Sequence, residues 1–200
     1  MCIRDRLYIE SNKLKINKKK LVNNPQSIFI VGMPRSGTTL VESILSMNTD
    51  VHDLGEINIF EKSFLEWKND NQTNSLNEIY LRKINTNDNE YKISTNKWLY
   101  NYQYAGIIAN EICNPKIIYC FRNPLDNILS IYRAHFARGN NYSSSLVDCA
   151  KIYLDHKQIM TNYKNEFGSK IYELNYDLLV SNPHAEIKSL VSWLCWEWNN

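Results

Sequence analysis

One segment of eight residues, Gly-Met-Pro-Arg-Ser-Gly-Thr-Thr at 32–39, restricts the possible folds more than any other part of the chain. Residues 27–31 before it are short, apolar and β-branched, which predicts a buried strand. After it, apolar residues recur at helical spacing at Leu40, Val41, Ile44 and Leu45. A glycine turn between a buried strand and a helix binds phosphate in parallel sheets, because backbone N–H groups converge there and the helix N-terminus is positive. The segment therefore predicts a phosphate-binding loop.

The spacing of the two glycines is that of the ATP-binding loop G-x-x-x-x-G-K-[ST], with one change. Thr38 stands where that loop has a lysine, and the positive charge lies earlier, on Arg35. An enzyme without that lysine lacks a main cation at the transferring phosphate, which argues against ATP hydrolysis. Backbone N–H groups, two hydroxyls and a guanidinium suit a single 5′ phosphate instead. A glycine turn without any ligand is the alternative, and the combination Pro-Arg-Ser-Gly-Thr-Thr argues against it.

A second anion site is predicted around Arg122 and Ser130. Residues 116–121 form another apolar run that predicts a buried strand, and Arg122 follows its end directly. Asn123-Pro124-Leu125-Asp126 has the residue types of a helix start. Ser130 then lies about two turns into that helix. The alternatives are an ion pair between Arg122 and Asp126, and a serine that is merely a small residue in a helix interface.

The remaining periodicity predicts an α/β fold. Helices are expected over 57–84 with a polar break near 69–74, over 99–113, over roughly 143–166, and from Asn182-Pro183 onward. A strand is expected at 170–174. Strands that alternate with helices imply a central parallel sheet with helices on both faces. With the phosphate loop, this is the three-layer arrangement of P-loop-type proteins.

Length and composition fit one domain. The 200 residues are 44% hydrophobic, which is enough for one core. We expect a polar tail over 1–24, whose basic run Lys18–Lys20 is interpreted as solvated, and one domain over 25–200. The first six residues resemble translated adapter sequence and are left out of the fold prediction, and the domain is expected to be incomplete at its C-terminus.

Charge and cysteine content argue against several classes of binding partner and bound group. A formal net charge of +2 gives no electrostatic reason for a nucleic-acid partner. No run approaches the roughly 20 apolar residues of a membrane span, and no secretory leader is evident. Five widely spaced cysteines without a C-x-x-C pair argue against disulfides and a zinc site and favour reduced thiols in the cytoplasm. The oligomeric state is left open.

Taken together, the two motifs resemble those of sulfotransferases that use 3′-phosphoadenosine 5′-phosphosulfate (PAPS). Pro34-Arg-Ser-Gly-Thr-Thr-Leu40 resembles their 5′-phosphosulfate loop, and Arg122-Asn-Pro-Leu-Asp-Asn-Ile-Leu-Ser130-Ile-Tyr-Arg133 resembles their 3′-phosphate motif. The likeness covers roughly residues 26–198 and points to the bacterial tetratricopeptide-associated and tyrosylprotein sulfotransferase branch. It implies contacts to the nucleotide from Arg35, Ser36, Gly37, Thr38, Thr39, Arg122 and Ser130.

Three further segments are similar to that family. Gly55-Glu56 lies where tyrosylprotein sulfotransferases have a catalytic glutamate, and Thr95-Asn96-Lys97 resembles a T-D-K segment whose lysine faces the sulfuryl group. Asn175–Pro183 resembles a segment whose tyrosine, here Tyr176, lies near the nucleotide. The sequence departs from the pattern at Asn96 and Asn123, where aspartate is usual, and at Trp98-Leu99.

The resemblance implies transfer of a sulfuryl group from PAPS to an acceptor hydroxyl, without a metal. Glu56 is the expected general base, and Arg35 and Lys97 are expected to stabilise the bridging oxygen and the sulfonate. His52 is a weaker candidate base. The acceptor could be a peptide tyrosine, a carbohydrate or a small molecule. Two alternatives remain open: a P-loop kinase or NTPase, and a non-catalytic module that binds the product PAP (3′-phosphoadenosine 5′-phosphate).

Overall fold

The computed structural model describes residues 25–70, 73–85, 92–134, 136 and 140–198, so the predicted tail over 1–24 lies outside the described residues. The strands are β1 (Gln26–Gly32), β2 (Val51–Asp53), β3 (Ile93–Asn96), β4 (Pro115–Phe121) and β5 (Ile171–Asn175). The helices are α1 (Thr38–Leu45), α2 (Ile59–Asn69), α3 (Leu76–Ile84), α4 (Ala105–Glu111), α5 (Pro124–Arg133), α6 (Leu146–Phe167), α7 (Tyr176–Ser181) and α8 (Pro183–Trp193).

The strands form one five-stranded parallel sheet with the order β2-β3-β1-β4-β5. β1 pairs with β3 from Gln26 opposite Ile93 to Phe29 opposite Asn96. β2 pairs with β3 from Val51 opposite Ile93 to Asp53 opposite Thr95. Residues 28–31 of β1 are fully buried, as the continuous apolar run indicates for a strand covered on both faces. The predicted α/β class with a central parallel sheet is confirmed.

The described residues divide into two compact units. The first contains residues 25–31 and 39–117, and the second contains residues 32–38 and 118–198. The core of the first unit is aromatic: Phe60 lies edge-on to Phe29, Tyr80 and Tyr104, with ring centres 5.5, 5.9 and 5.7 Å away. Phe29, Phe60 and Tyr80 are fully buried, so this cluster fixes α2 and α3 against β1.

The second unit is organised by capped helices. The side chain of Asn123 accepts hydrogen bonds from the N–H groups of Leu125 and Asp126, which starts α5 as the sequence predicts. The side chain of Asn175 caps α7 in the same way through Asp177 and Leu178. A buried cluster of Met33, Ile131, Cys149 and Tyr153 packs α5 against α6. These caps place Arg122 and Tyr176 at helix starts, directly after the ends of β4 and β5.

The segment 99–113 is not the single amphipathic helix that its spacing suggests. Residues Leu99–Tyr104 form a 3₁₀-helix, and α4 begins only at Ala105. In a 3₁₀ turn, residues three apart lie one above the other. Asn101 and Tyr104 are thereby both buried, where Asn101 donates to Asn96 and Tyr104 donates to Glu61. The hydrogen bonds of Asn101 and Tyr104 require these two side chains on the same face, three residues apart. This spacing fits a 3₁₀-helix better than an α-helix with 3.6 residues per turn. Within the described residues, no helix is long and apolar enough to cross a membrane.

We predict that Phe60→Ala lowers the free energy of unfolding by about 3–5 kcal/mol, because a fully buried ring is removed from the aromatic cluster. Urea unfolding followed by tryptophan fluorescence measures the change. Leu65→Ala in the same helix is the matched control. Its side chain is 52% exposed, so its loss should cost less than about 1 kcal/mol. Equal costs for both variants would contradict this description of the core.

Candidate active site

Two positions around the turn between β1 and α1 leave no room for a side chain. A Cβ on Gly32 would lie 2.5 Å from the carbonyl oxygen of Cys120. Gly37 has φ +95°, and a Cβ there would lie 2.2 Å from the ring of Tyr176. Arg35 also adopts a left-handed conformation, with φ +66°, and the N–H of Ser36 closes the turn onto the carbonyl of Met33 at 3.2 Å. Both glycines of the predicted phosphate loop are therefore required by close contacts within the second unit.

A buried amide holds this loop to α5. The side chain of Asn127 is fully buried, and its Nδ2 donates to the carbonyl of Pro34 at 2.9 Å. Ser36 and Thr38 are also buried, and the Ser36 hydroxyl has no hydrogen-bond partner within the described residues. The sequence shows Asn127 only as a polar residue in an amphipathic helix, so its anchoring role was not predicted.

Arg35 and Ser130 are in direct contact. The Nε–H of Arg35 donates to the Ser130 hydroxyl at 3.2 Å, although 95 residues separate them in the chain. The structure therefore brings together one residue from each of the two predicted anion motifs. The Arg35 side chain is exposed, so its remaining guanidinium donors face solvent.

Arg122 is held by three contacts beside the same loop. Its guanidinium lies over the ring of Tyr176, 5.0 Å from the ring centre. Its Nε lies 3.7 Å from Oδ1 of Asp177, while Oδ2 of Asp177 accepts a 2.7 Å hydrogen bond from the N–H of Asn123. The carbonyl of Arg122 accepts from the hydroxyl of Tyr153 at 3.1 Å. The charged partner of Arg122 is thus Asp177, not the Asp126 considered from the sequence. The buried Nε makes no hydrogen bond within the described residues.

A second group of predicted residues lies within the first unit, around the ammonium of Lys97. The Lys97 side chain is 5% exposed. Its Nζ donates to Oε1 of Glu56 at 2.5 Å and to the Thr39 hydroxyl at 3.2 Å. Oε2 of Glu42 lies 3.5 Å away. A buried ammonium needs such partners, because an unpaired charge in the protein interior is strongly unfavourable.

Three hydrogen bonds align the segment that carries Glu56 with the end of β3, which Lys97 follows directly. The N–H of Leu54 donates to the Thr95 carbonyl at 3.0 Å, and the N–H of Lys97 donates to the Gly55 carbonyl at 3.1 Å. The side-chain amide of Asn96 donates to the carbonyl of Ile57 at 2.9 Å. Asn96 is fully buried, and this donor explains why an amide suits the position in this chain better than a carboxylate.

The electrostatics of this group are dominated by carboxylates. The pKa of Glu42 is raised from its ordinary value of 4.5 to about 7. Burial is the main cause, a hydrogen bond with Asp53 and the charge of Asp53 add to it, and Lys97 opposes the rise. The two strand neighbours His52 and Asp53 point to opposite faces of β2. Because Asp53 faces Glu42, His52 faces away from this group, which disfavours it as the base.

The predicted site residues thus fall into two groups, one in each unit. Arg35, Ser36, Gly37, Thr38, Arg122, Ser130 and Tyr176 belong to the second unit, and Thr39, Glu56 and Lys97 belong to the first. The sequence did not single out Glu42, Asn127 or Asp177, because each is an ordinary polar residue of an amphipathic helix. Among the described residues, no group of three His, Cys, Asp or Glu side chains is placed to hold a metal ion.

The parallel sheet and the glycine loop define a P-loop-like α/β domain. A sequence profile described as Sulfotransferase family matches residues 25–200. The chain belongs to the sulfotransferase family, and the resemblance drawn from the sequence is confirmed.

Two curated proteins are similar in sequence. An uncharacterized protein of Aquifex aeolicus is 31% identical over 195 residues, which cover 85% of this chain and 26% of the relative. A protein of Caenorhabditis briggsae, named as a candidate protein-tyrosine sulfotransferase, is 28% identical over 189 residues, or 87% of this chain and 67% of the relative. The chain therefore spans about a quarter of the Aquifex relative and two thirds of the Caenorhabditis relative.

Solved structures share the fold at low sequence identity. The sulfotransferase domain from the curacin biosynthetic pathway superposes with a TM-score of 0.63 at 18% identity, covering 88% of this chain and 75% of that one. A mouse sulfotransferase complexed with PAP gives 0.57 at 15%, covering 92% and 64%. A shikimate kinase from Bacteroides thetaiotaomicron gives 0.51 at 12%, covering 84% and 98%. The fold alone is thus shared with a kinase, and the choice of chemistry depends on the site residues.

We predict that Asn96→Asp destabilises the protein by about 1–3 kcal/mol, because a carboxylate cannot donate to the Ile57 carbonyl. Asn123→Asp is the matched control, since the Asn123 side chain accepts hydrogen bonds at the start of α5 and donates none within the part of the chain that the structure describes. Its change should stay within about 0.5 kcal/mol. Chemical unfolding near neutral pH measures both variants, and an unaffected Asn96→Asp protein would show that this hydrogen bond does not hold the segment.

We also predict a pH-dependent gain in stability for Glu42→Gln. A carboxyl group whose pKa is raised on folding binds more protons in the folded state, so the free energy of unfolding falls as the pH rises from about 4.5 to about 7. Glutamine removes this penalty, which reaches at most about 3 kcal/mol above neutral pH. The difference between variant and wild type should therefore grow from about pH 5 to about pH 8 in urea unfolding. A difference that stays constant with pH would contradict the raised pKa.

Proposed function

We propose that the protein transfers a sulfuryl group from PAPS to an acceptor hydroxyl and releases PAP. The observation that carries the proposal is the placement of two arginines around one glycine loop. Arg35 lies in the loop and bonds to Ser130, and Arg122 lies over the ring of the Tyr176 side chain that packs on Gly37. PAPS carries anionic groups at its 5′ and 3′ positions, and ATP has no 3′-phosphate. Two separate cations with hydroxyl donors therefore fit PAPS better than ATP.

The 5′ side of the nucleotide is assigned to the loop itself. Gly37 lets the backbone turn so that N–H groups at the start of α1 face a bound phosphate. Thr38 and Thr39 bring hydroxyls to the helix start, and Ser36 contributes to the turn. Arg35 supplies the charge that a lysine supplies in ATP-binding loops. Its planar guanidinium suits the oxygens of a phosphosulfate, where it would stabilise the bridging oxygen as negative charge develops.

The 3′-phosphate is assigned to Arg122 and Ser130. The stacking on Tyr176 and the contact with Asp177 fix the guanidinium plane of Arg122 before a ligand arrives. Its buried Nε faces Asp177, so the terminal N–H groups of the guanidinium are the donors that remain for an anion. Tyr176 is placed to contact the same side of the nucleotide. The mouse sulfotransferase of similar fold was solved with PAP, which supports this choice of ligand.

The chemical step is assigned to Glu56 and Lys97. Glu56 accepts the proton of the acceptor hydroxyl as the acceptor oxygen forms its bond to sulfur. The bond between sulfur and the 5′-phosphate oxygen breaks, and its electron pair leaves with PAP. Lys97 neutralises charge on the transferring sulfonate. Glu56 is suited to reach an acceptor because its side chain is 54% exposed.

Tyrosine-containing peptides are the first acceptor class to test. The glutamate base and the name of the Caenorhabditis relative both favour it, and carbohydrate and small-molecule hydroxyls remain open. No metal takes part in the proposed step, because the cations are protein side chains. We also propose a cytoplasmic location, which is in keeping with the free thiols of Cys113, Cys120, Cys149 and Cys195.

Nucleotide binding tests the proposal first. We predict that PAP binds in calorimetry and that ATP–magnesium and adenosine 5′-monophosphate are weak competitors, because neither carries a 3′-phosphate. Arg122→Ala should weaken PAP binding by at least about tenfold, the loss expected for one charged hydrogen bond. Arg82→Ala, an exposed arginine paired with Glu66, is the control and should bind PAP normally. ATP–magnesium binding as tightly as PAP, with no effect of Arg122→Ala, would favour the kinase reading instead.

Turnover tests the base. With labelled PAPS and a panel of tyrosine peptide, phenol and saccharide acceptors, we predict that Glu56→Gln lowers kcat by about 10²–10⁴-fold. PAP affinity should change by less than about threefold, because Glu56 acts on the acceptor side. Glu66→Gln, which alters an exposed carboxylate of α2, is the control. Near-normal turnover by Glu56→Gln would remove Glu56 as the base, and PAP binding by wild type without transfer to any acceptor would indicate a non-catalytic module.

A further inference from the structure

Glu42 is a buried carboxylate to which the proposed reaction gives no role. It lies on α1, three residues after Thr39, and its side chain is 8% exposed. Oε2 lies 3.5 Å from Nζ of Lys97, and Oε1 accepts no hydrogen bond within the described residues. A carboxylate that is buried and only partly satisfied costs stability. Because Glu42 lies beside the proposed catalytic Lys97, we look for its role in the way it contacts that lysine.

The two carboxylates around Lys97 differ in their access to solvent. Glu56 approaches the ammonium more closely, at 2.5 Å, and 54% of its side chain is exposed. Glu42 is slightly further away, at 3.5 Å, and is enclosed. The exposed carboxylate can turn toward an acceptor, whereas the enclosed one cannot reach an acceptor at all. Lys97 therefore has one carboxylate partner that can move away, Glu56, and one that remains in place, Glu42.

The proposed chemistry requires the exposed partner to leave. As base, Glu56 takes up the proton of the acceptor hydroxyl and becomes neutral, so it no longer balances the charge of Lys97. Without Glu42, an ammonium that is 5% exposed would then have, among the described residues, only the Thr39 hydroxyl as a partner. Such a group would turn away from the site, because an unpaired buried charge is strongly unfavourable.

We propose that Glu42 is a positioning residue for sulfuryl transfer: its enclosed carboxylate holds the ammonium of Lys97 while Glu56 releases it to accept the proton of the acceptor hydroxyl. This role rests on the proposed function, and Glu42 itself touches neither nucleotide nor acceptor. Thr39 completes the hold from the same helix, one turn earlier, with its hydroxyl 3.2 Å from Nζ. The lysine is thus tied to α1 at two points that do not change during the reaction.

The hold depends on pH in a defined direction. The charged groups that face Glu42 are Asp53 from β2 and Lys97 from the end of β3, and burial together with Asp53 raises the pKa of Glu42 to about 7. Below that pH the carboxyl group is protonated and neutral, and the ionic contact with Lys97 is lost. Above it the contact is present. Turnover should therefore rise with pH through about 7, and glutamine at position 42 should abolish that step.

The ammonium signal of Lys97 in proton–nitrogen correlation spectra tests the hold without any need for activity. We expect Glu56→Gln to keep a slowly exchanging Lys97 signal at about pH 8 and to lose it below about pH 6, as Glu42 becomes protonated. The double variant Glu42→Gln with Glu56→Gln should lose the signal at both pH values. Glu66→Gln, which touches Lys83 instead, is the control and should leave Lys97 unchanged. Loss of the Lys97 signal in Glu56→Gln at the higher pH would overturn the proposal.

Kinetics provide the second readout. With whichever acceptor of the panel accepts sulfate, Glu42→Gln should lower kcat by about tenfold or more and remove the pH step near 7, with PAP affinity within about twofold of wild type. Glu42→Asp retains the charge and should restore part of the pH step. An unchanged pH profile in Glu42→Gln would overturn the role of Glu42. If wild type transfers no sulfate at all, the proposed function fails, and the spectra still decide whether Glu42 holds Lys97.

Discussion

The charge of one buried lysine explains much of the first unit. Lys97 is almost fully enclosed, and its ammonium must be paired where it lies. β3 ends beside α1, which supplies Thr39 and Glu42. The segment after β2 supplies Glu56 and is aligned with β3 by backbone hydrogen bonds and by the amide of Asn96. The ends of these strands thus bring three side chains to one ammonium. The fold keeps the buried carboxylate of Glu42 although its burial lowers the stability of the protein.

In the second unit, the guanidinium groups of Arg35 and Arg122 are held in position without being fully neutralised. Arg35 has a hydroxyl as its partner and remains exposed. Arg122 has an aromatic face and a carboxylate at 3.7 Å, a loose ion pair that leaves a donor unused. Gly37 lies between the loop of Arg35 and the ring that Arg122 contacts. Because glycine has no side chain, the ring of Tyr176 can pack directly on the loop. In the proposed nucleotide site, this orientation before binding would reduce the cost of ordering these long side chains around an anion.

Elements with continuous apolar runs or capping residues could be predicted from the sequence, and polar elements could not. β1 and β4 are buried on both faces, and α5 begins at an Asn-Pro pair, so each carries a strong local signal. β2 has three residues and β3 reads Ile-Ser-Thr-Asn, so neither shows an apolar pattern. The glycine loop, Arg122 and Ser130 were located from local patterns in the sequence, whereas Glu56, Lys97 and Tyr176 were located by resemblance to a family. Glu42, Asn127 and Asp177 could not be found this way, because their roles depend on partners far along the chain.

The proposed function requires one bound nucleotide to have its two phosphates in two distinct places, one at the glycine loop and one at Arg122 and Ser130. Phosphorus NMR of PAP bound to the protein resolves the 5′ and 3′ groups separately. We expect both resonances to shift on binding to wild type. In Arg122→Ala, the 3′ resonance should return toward its free position while the 5′ resonance remains shifted. Resonances that both stay at their free positions with wild type, or a 3′ resonance that is unaffected by the loss of Arg122, would contradict it.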